Sequence, residues 1–131
     1  MDAEQALPPV TVTGLDHIVL NVSDVERSLA FYLGELGLQP ERVDEWRRGE
    51  VFFPSARVDA TTIIDLLETN PDGRNVDHFC LVVEPVDLQA LKDSGRFDVL
   101  DGPDQRFGAQ GTATSLYIRD PDGNVVELRH Y

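Results

Sequence analysis

Apolar residues in this chain fall mostly into short runs bounded by turn residues, with two stretches at helical spacing between them. Gly14 to Val22 reads as the first strand, after a lead-in at 1–13 in which Pro8 and Pro9 block regular structure. Ser23 then reads as an N-cap, with Glu26 three residues on completing a capping box. Val25, Leu29, Tyr32, Leu33 and Leu36 share one helical face flanked by Phe31, Gly34 is a weak spot inside that helix, and Gly37 ends it. Leu38 to Glu45 is expected as a strand broken by Pro40, residues 46–50 as a hairpin tip, and Val51 to Phe53 and Thr61 to Leu67 as strands. A turn-rich link at Asn70-Pro71-Asp72-Gly73 follows. The order then recurs: a strand at Val76 to Val83, a short helix at Pro85 to Leu91, a brief strand at Val99-Leu100 and a glycine-bearing loop at Gly102 to Gly111. A hairpin closes the chain, Thr112 to Ile118 and Asn124 to His130, about the turn Asp120-Pro121-Asp122-Gly123-Asn124.

Each half is thus strand, helix, then about three strands. The pattern predicts an α+β fold of two tandem βαβββ modules: module one at 14–69, a linker at 70–75, module two at 76–131, together one domain. The polar exceptions within the strands repeat as well. Asp16-His17 opens the first half and Asp77-His78 the second; Asp65-Leu66 and Glu127-Leu128 sit in the last strand of each. His17 precedes Asp65 by 48 residues and His78 precedes Glu127 by 49.

Composition narrows the function classes. A net charge of −13 argues against nucleic-acid binding, which needs clustered Lys and Arg. Cys80 is the single cysteine, so no intrachain disulfide forms, as suits a reducing compartment. No apolar run approaches the length of a membrane span and no basic region precedes an apolar one. A cytoplasmic protein without membrane or nucleic-acid partners is expected.

If the first and last strands of each half are neighbours, His17, Asp65, His78 and Glu127 face one hollow. Two imidazoles with one or two carboxylates form a nitrogen and oxygen set for a first-row divalent ion with open positions, whether Fe, Mn, Ni, Co or Zn. Each residue alone has a plainer reading: a histidine is often hydrogen-bonded structure, Asp16 and Asp77 could simply start strands, and a strand acid is usually exposed. The shared register of all four favours the metal site. Tyr117 is core or substrate contact, and Arg106 to Gly111 is either a loop that closes over a site or a flexible connector. Trp46-Arg47-Arg48 is a substrate rim or an exposed tip, Cys80 an inert core residue, and His130 points to the face opposite Glu127.

Leu15-Asp16-His17-Ile18-Val19-Leu20, Ser28-Leu29-Ala30-Phe31-Tyr32 and the segment from Ser115 to Glu127 resemble the vicinal oxygen chelate superfamily. That group holds glyoxalase I, the fosfomycin- and bleomycin-resistance proteins and the extradiol dioxygenases. The likeness runs from about Gly14 to Tyr131, and Arg106-Phe107-Gly108-Ala109-Gln110-Gly111 is similar to the small glyoxalase-domain-containing proteins. The resemblance implies a U-shaped cleft around one divalent metal, with His17, His78 and Glu127 as ligands. Asp65 stands where glyoxalase I-like members place a Glu ligand. It implies a small substrate chelated through two adjacent oxygens, and a homodimer. Asp65, Glu127 and Tyr117 are the catalytic candidates. The extradiol signature also carries a His several residues before the Tyr, where this chain has Gly108-Ala109-Gln110. Three functions follow: a metal-dependent glyoxalase-like lyase or isomerase, an Fe(II) extradiol-type dioxygenase, or a non-catalytic binding or resistance protein.

Overall fold

The computed structural model describes residues 7–119, 121 and 123–131; the start of the lead-in and Asp120 and Asp122 of the closing turn lie outside the described residues. The fold is α+β, built on one eight-stranded sheet. β1 (Val12–Val22) leads into α1 (Val25–Leu29), which continues as a π-helical turn (Ala30–Glu35). β2 (Gln39–Glu41), α2 (Val43–Arg47), β3 (Ser55–Arg57) and β4 (Ile63–Glu68) follow. Then come β5 (Val76–Val83), α3 (Leu88–Asp93), β6 (Asp98–Arg106), β7 (Ala113–Arg119) and β8 (Val125–His130).

The strand order is β2-β3-β4-β1-β5-β8-β7-β6. Reading outward from the central β1–β5 pair, each side repeats the same sequence: first strand, last strand, third, second. β1 pairs with β4 in parallel and β5 with β8 in parallel, while β1 and β5 run antiparallel to each other. The helices lie over one face. Under α1, Val25 and Leu29 pack with Val43 and Leu66; under α3, Leu88 and Leu91 pack with Leu116, Val126 and Leu128. Alternation along β4 and β8 therefore turns Asp65 and Glu127, each flanked by a core-facing leucine, to the face away from the helices.

Several expectations change. Asp24, not Ser23, caps α1, its carboxylate accepting from the Arg27 amide at 3.1 Å, because Ser23 is taken by the Arg27 guanidinium at 2.7 Å. Glu26 closes no capping box; it pairs with Arg47 at 2.8 Å. Gly37 does terminate the helical segment, at φ +74°. The supposed hairpin tip is instead the short helix α2, entered through Arg42 in the left-handed region (φ 58°). Trp46 on that helix packs against the apolar cluster beneath α1 and does not form a substrate rim. Val51 to Phe53 is irregular, and the strand begins where it was expected to stop, at Ser55. The early part of the glycine-bearing loop is strand: β6 runs through Gly102 and Pro103, its pairing with β7 broken by register shifts.

Candidate metal centre

Both Asp-His pairs sit on β-bulges. Opposite β5, Leu15 faces Leu81 and His17 faces Cys80, so Asp16 is one residue too many on β1. Opposite β1, His78 faces Val19 and Val76 faces Leu20, so Asp77 is the extra residue on β5. A bulge re-aims a side chain that strict alternation would send to the other face. Here it lets each aspartate reach its own neighbour: Asp16 Oδ1 lies 2.7 Å from His17 Nδ1, and Asp77 Oδ2 lies 2.8 Å from His78 Nδ1. An ionised carboxylate only accepts, so Nδ1 of each ring carries the proton and donates it. In the neutral imidazole, Nε2 is then the free lone pair.

Those two nitrogens converge. His17 Nε2 is 3.0 Å and His78 Nε2 3.1 Å from the same oxygen, Glu127 Oε1. The candidate ligand atoms of His17, His78 and Glu127 all lie within 4.8 Å of one another. The parallel registers place the acids: Asp65 lies beside Val19 and Glu127 beside Cys80, in each case two residues beyond the histidine of the neighbouring strand. Their outer oxygens are held alike. Ser115 Oγ donates to Glu127 Oε2 at 2.7 Å, with Arg129 Nη1 at 3.1 Å. Ser55 Oγ donates to Asp65 Oδ1, with Arg42 Nη2 at 3.5 Å. Asp65 Oδ2 stands 3.9 Å from His17 Nε2, farther off than Glu127 because its side chain is one methylene shorter.

Charge around this point is strongly coupled. Burial opposes a charge on His17, but hydrogen bonds to Asp16 and Glu127 and the charges of Glu127 and Asp65 outweigh it and raise the imidazole to about 9. His78 is also raised: burial is overcome by Glu127 and Asp77. Burial works against Glu127, yet the two imidazoles and Ser115 hold it far below the usual carboxylate range. Asp65 goes the other way; burial dominates and pushes it up. Two imidazoles that share one carboxylate oxygen and are drawn toward the protonated state mark a place where positive charge is favoured. Asp16, His17 and Cys80 also group together, but His17 Nδ1 is committed to Asp16, and burial with nearby Glu127 keeps Cys80 a thiol.

The histidines and acids open onto a cavity of about 590 Å³ walled by Val19, Phe52, Phe53, Leu67, Phe107 and Tyr117. Tyr117 is the register partner of Glu127 and meets His78 edge-on, ring centroids 5.2 Å apart. Arg106 and Phe107 line the cavity, yet their loop is fastened from below. Arg129, 0% exposed, donates to the carbonyls of Arg106, Phe107 and Gly111 at 3.0, 3.1 and 2.9 Å. The Ala109 amide donates to Asp16 Oδ1 at 2.8 Å, and Tyr131 hydroxyl to Asp16 Oδ2 at 2.5 Å. Neither expectation for this loop fits: it is a bracket that ties the cavity wall to the carboxylate behind His17. The structure therefore brings together His17, His78, Glu127, Asp65 and Tyr117, and leaves His130 outside, paired with Thr114. Sequence reasoning missed Arg129, Ser55, Ser115 and Arg42, and gave Asp16 and Asp77 no task beyond starting a strand. The repetition of Asp before each His was the available signal for the last two.

Residues 14–128 match the family model described as Glyoxalase/Bleomycin resistance protein/Dioxygenase superfamily. Virulence protein STM3117 of Salmonella typhimurium is 28% identical over 122 residues, covering 89% of this chain and 83% of that protein. A probable lactoylglutathione lyase of Synechocystis is 28% identical over 123 residues, covering 86% and 91%. The Mn(II)-bound glyoxalase from Novosphingobium aromaticivorans shares the fold with a TM-score of 0.65 at 19% identity, covering 92% of this chain and 40% of that one.

Proposed function

The chain belongs to the glyoxalase/bleomycin resistance protein/dioxygenase superfamily, and from that premise we propose that it is a divalent-metal-dependent lyase or isomerase of glyoxalase type. The observation that carries this reading is the convergence of His17 Nε2, His78 Nε2 and Glu127 Oε1, with each imidazole held at Nδ1 by the aspartate before it. The donors suit a divalent ion, which would displace the protons that the imidazoles hold toward Glu127: two nitrogens of fixed tautomer, one buried carboxylate oxygen, and a cavity on the open side. His17, His78 and Glu127 would hold the ion, which when bound would supply Lewis-acid polarisation of two adjacent substrate oxygens.

The chain's own residues do the rest. Arg129 and Ser115 fix Glu127 Oε2 and leave Oε1 for the centre. Asp65 acts as the base. Ser55 and Arg42 hold its Oδ1, Oδ2 is left on the side of His17, and burial raises its proton affinity toward the range where a carboxylate takes up and returns a proton. Tyr117 orients the substrate from the wall. Phe53 and Phe107 line the cavity with apolar surface beside the carbon being deprotonated. The extradiol alternative calls for an acid or base imidazole besides the ligands, and His17 and His78 are the imidazoles among the described residues lining the cavity. The mirrored halves support duplicate modules at 14–69 and 76–131, a linker between and a lead-in before. A cytoplasmic homodimer acting on a small molecule is part of the same proposal, on family likeness and the single cysteine.

The test is solvent proton exchange. Zn(II)-loaded protein in deuterated water should wash deuterium into the carbon next to the carbonyl of hydroxyacetone, followed by proton NMR. Asp65→Asn should keep its metal and slow the exchange by about a hundredfold or more. Equal exchange in that variant, or none in a fully loaded wild type, would contradict the assignment.

A further inference from the structure

The cavity's walls say what kind of molecule the centre takes. Six apolar or aromatic side chains surround it, and one of them, Phe52, is 94% exposed. A phenylalanine left almost wholly in water, in an irregular segment beside a cavity, is an apolar surface without a partner. Phe53 next to it and Phe107, by contrast, each have a partner, the Arg42 guanidinium, at 5.6 and 5.1 Å from the ring centres. Charge points the same way. Apart from the two histidines of the proposed centre, Arg106 is the one basic side chain among the described residues lining the cavity, and it is already engaged by Asp101 at 3.1 Å and Asp104 at 3.8 Å. Asp65 and Asp77 add negative charge. A peptide-conjugated substrate carrying several carboxylates would meet no free cation there.

We infer that the substrate is a compact molecule with a flat aromatic body attached to its pair of adjacent oxygens, and that Phe52 closes on that body as a specificity-determining residue. The inference rests on the proposed metal centre for the oxygen pair; the body is read from the walls alone. A volume of about 590 Å³ is ample for one ring and its two-oxygen head.

Phenylglyoxylate and pyruvate share one 2-oxo acid head and differ in body, phenyl against methyl. Calorimetric titration of each, and of S-lactoylglutathione, into Mn(II)-loaded protein compares them, with metal content measured on the same samples. Even one methylene in an apolar pocket can be worth about tenfold, so phenylglyoxylate should bind at least about tenfold tighter than pyruvate. S-lactoylglutathione should bind more weakly than phenylglyoxylate. Phe52→Ala should lower the aryl probe's affinity roughly two- to tenfold and compress its lead over pyruvate. So exposed a side chain is not needed for folding, and an unchanged thermal midpoint checks this. Equal affinity for the two 2-oxo acids, a preference for the glutathione ester, or an aryl preference untouched by Phe52→Ala would overturn the inference. The titrations are repeated on metal-free protein. An aryl preference that persists there supports the reading of the walls even if the metal centre fails, and metal bound without the preference overturns this inference while leaving the centre intact.

Discussion

Asp16 and Asp77 show how much a single inserted residue does. Each is the extra member of a bulge, and each spends its carboxylate on the Nδ1 proton of the next residue. The histidines and their spacing were readable as a candidate ligand set; the bulges were not, because nothing in a run such as Leu15-Asp16-His17-Ile18 reveals which residue the partner strand will skip. Asp77 offers the cleaner test, since its side chain is 41% exposed and its loss opens no core. Asp77→Ala should weaken divalent metal binding about 10- to 100-fold while leaving the fold intact, as read by competition with a fluorescent chelator. The protonation of His17 gives a second expectation. In the metal-free protein its imidazole is raised from 6.5 to about 9. Protonation therefore stabilises the fold fully below pH 6.5, and this contribution is lost as the pH rises toward 9. The thermal midpoint of metal-free protein should fall over that window. Metal affinity should rise over the same window, because a bound ion must displace those protons.

At the level of elements, the legible parts were those whose side chains carry the pattern. β5 matches its apolar run from Val76 to Val83, and the acids of β4 and β8 stood out against their leucines. α2 was missed because five residues cannot display a helical period, and because the left-handed Arg42 that starts it belongs to a residue type with no preference for that conformation. β6 was read too short, as Val99-Leu100 alone, because Gly102 and Pro103 read as loop while β7 still supplies partners on either side. Arg129 was unremarkable as the fifth residue of a terminal strand, yet it is the fully buried cation that joins Glu127, Ser115 and the 106–111 bracket. Arg129→Met should destabilise the protein by about 3–5 kcal/mol in urea unfolding, since Glu127 and Asp16 lose a buried counter-charge. Gly108 is smaller in effect. A Cβ there would lie 2.4 Å from Arg129 Cζ and 2.5 Å from the Tyr131 hydroxyl. Gly108→Ala should cost about 1–3 kcal/mol in the same measurement and loosen the cavity wall.

Across the whole molecule, the β1–β5 pair is the seam on which everything meets. His17 comes from β1, His78 from β5 and Glu127 from β8, so the proposed ion would tie the two sides of the sheet together at its centre. The fold class was legible from the repeated order of elements. That the two sides share one continuous eight-stranded sheet was not, because no local pattern records which strands become neighbours across the seam. A ligand that binds only the folded chain stabilises it by mass action, about 2.7 kcal/mol at a hundred times its dissociation constant. Divalent metal should therefore raise the thermal midpoint of the wild type and not of His78→Ala. The most direct measurement is elemental analysis of the purified protein after dialysis against Fe(II), Mn(II), Ni(II), Co(II) and Zn(II) in turn, alongside His17→Ala, His78→Ala and Glu127→Ala. The account predicts about one ion per wild-type chain for at least one of these metals, and its loss in all three variants. A wild type that retains none of the five, or variants that retain as much as the wild type, would contradict it.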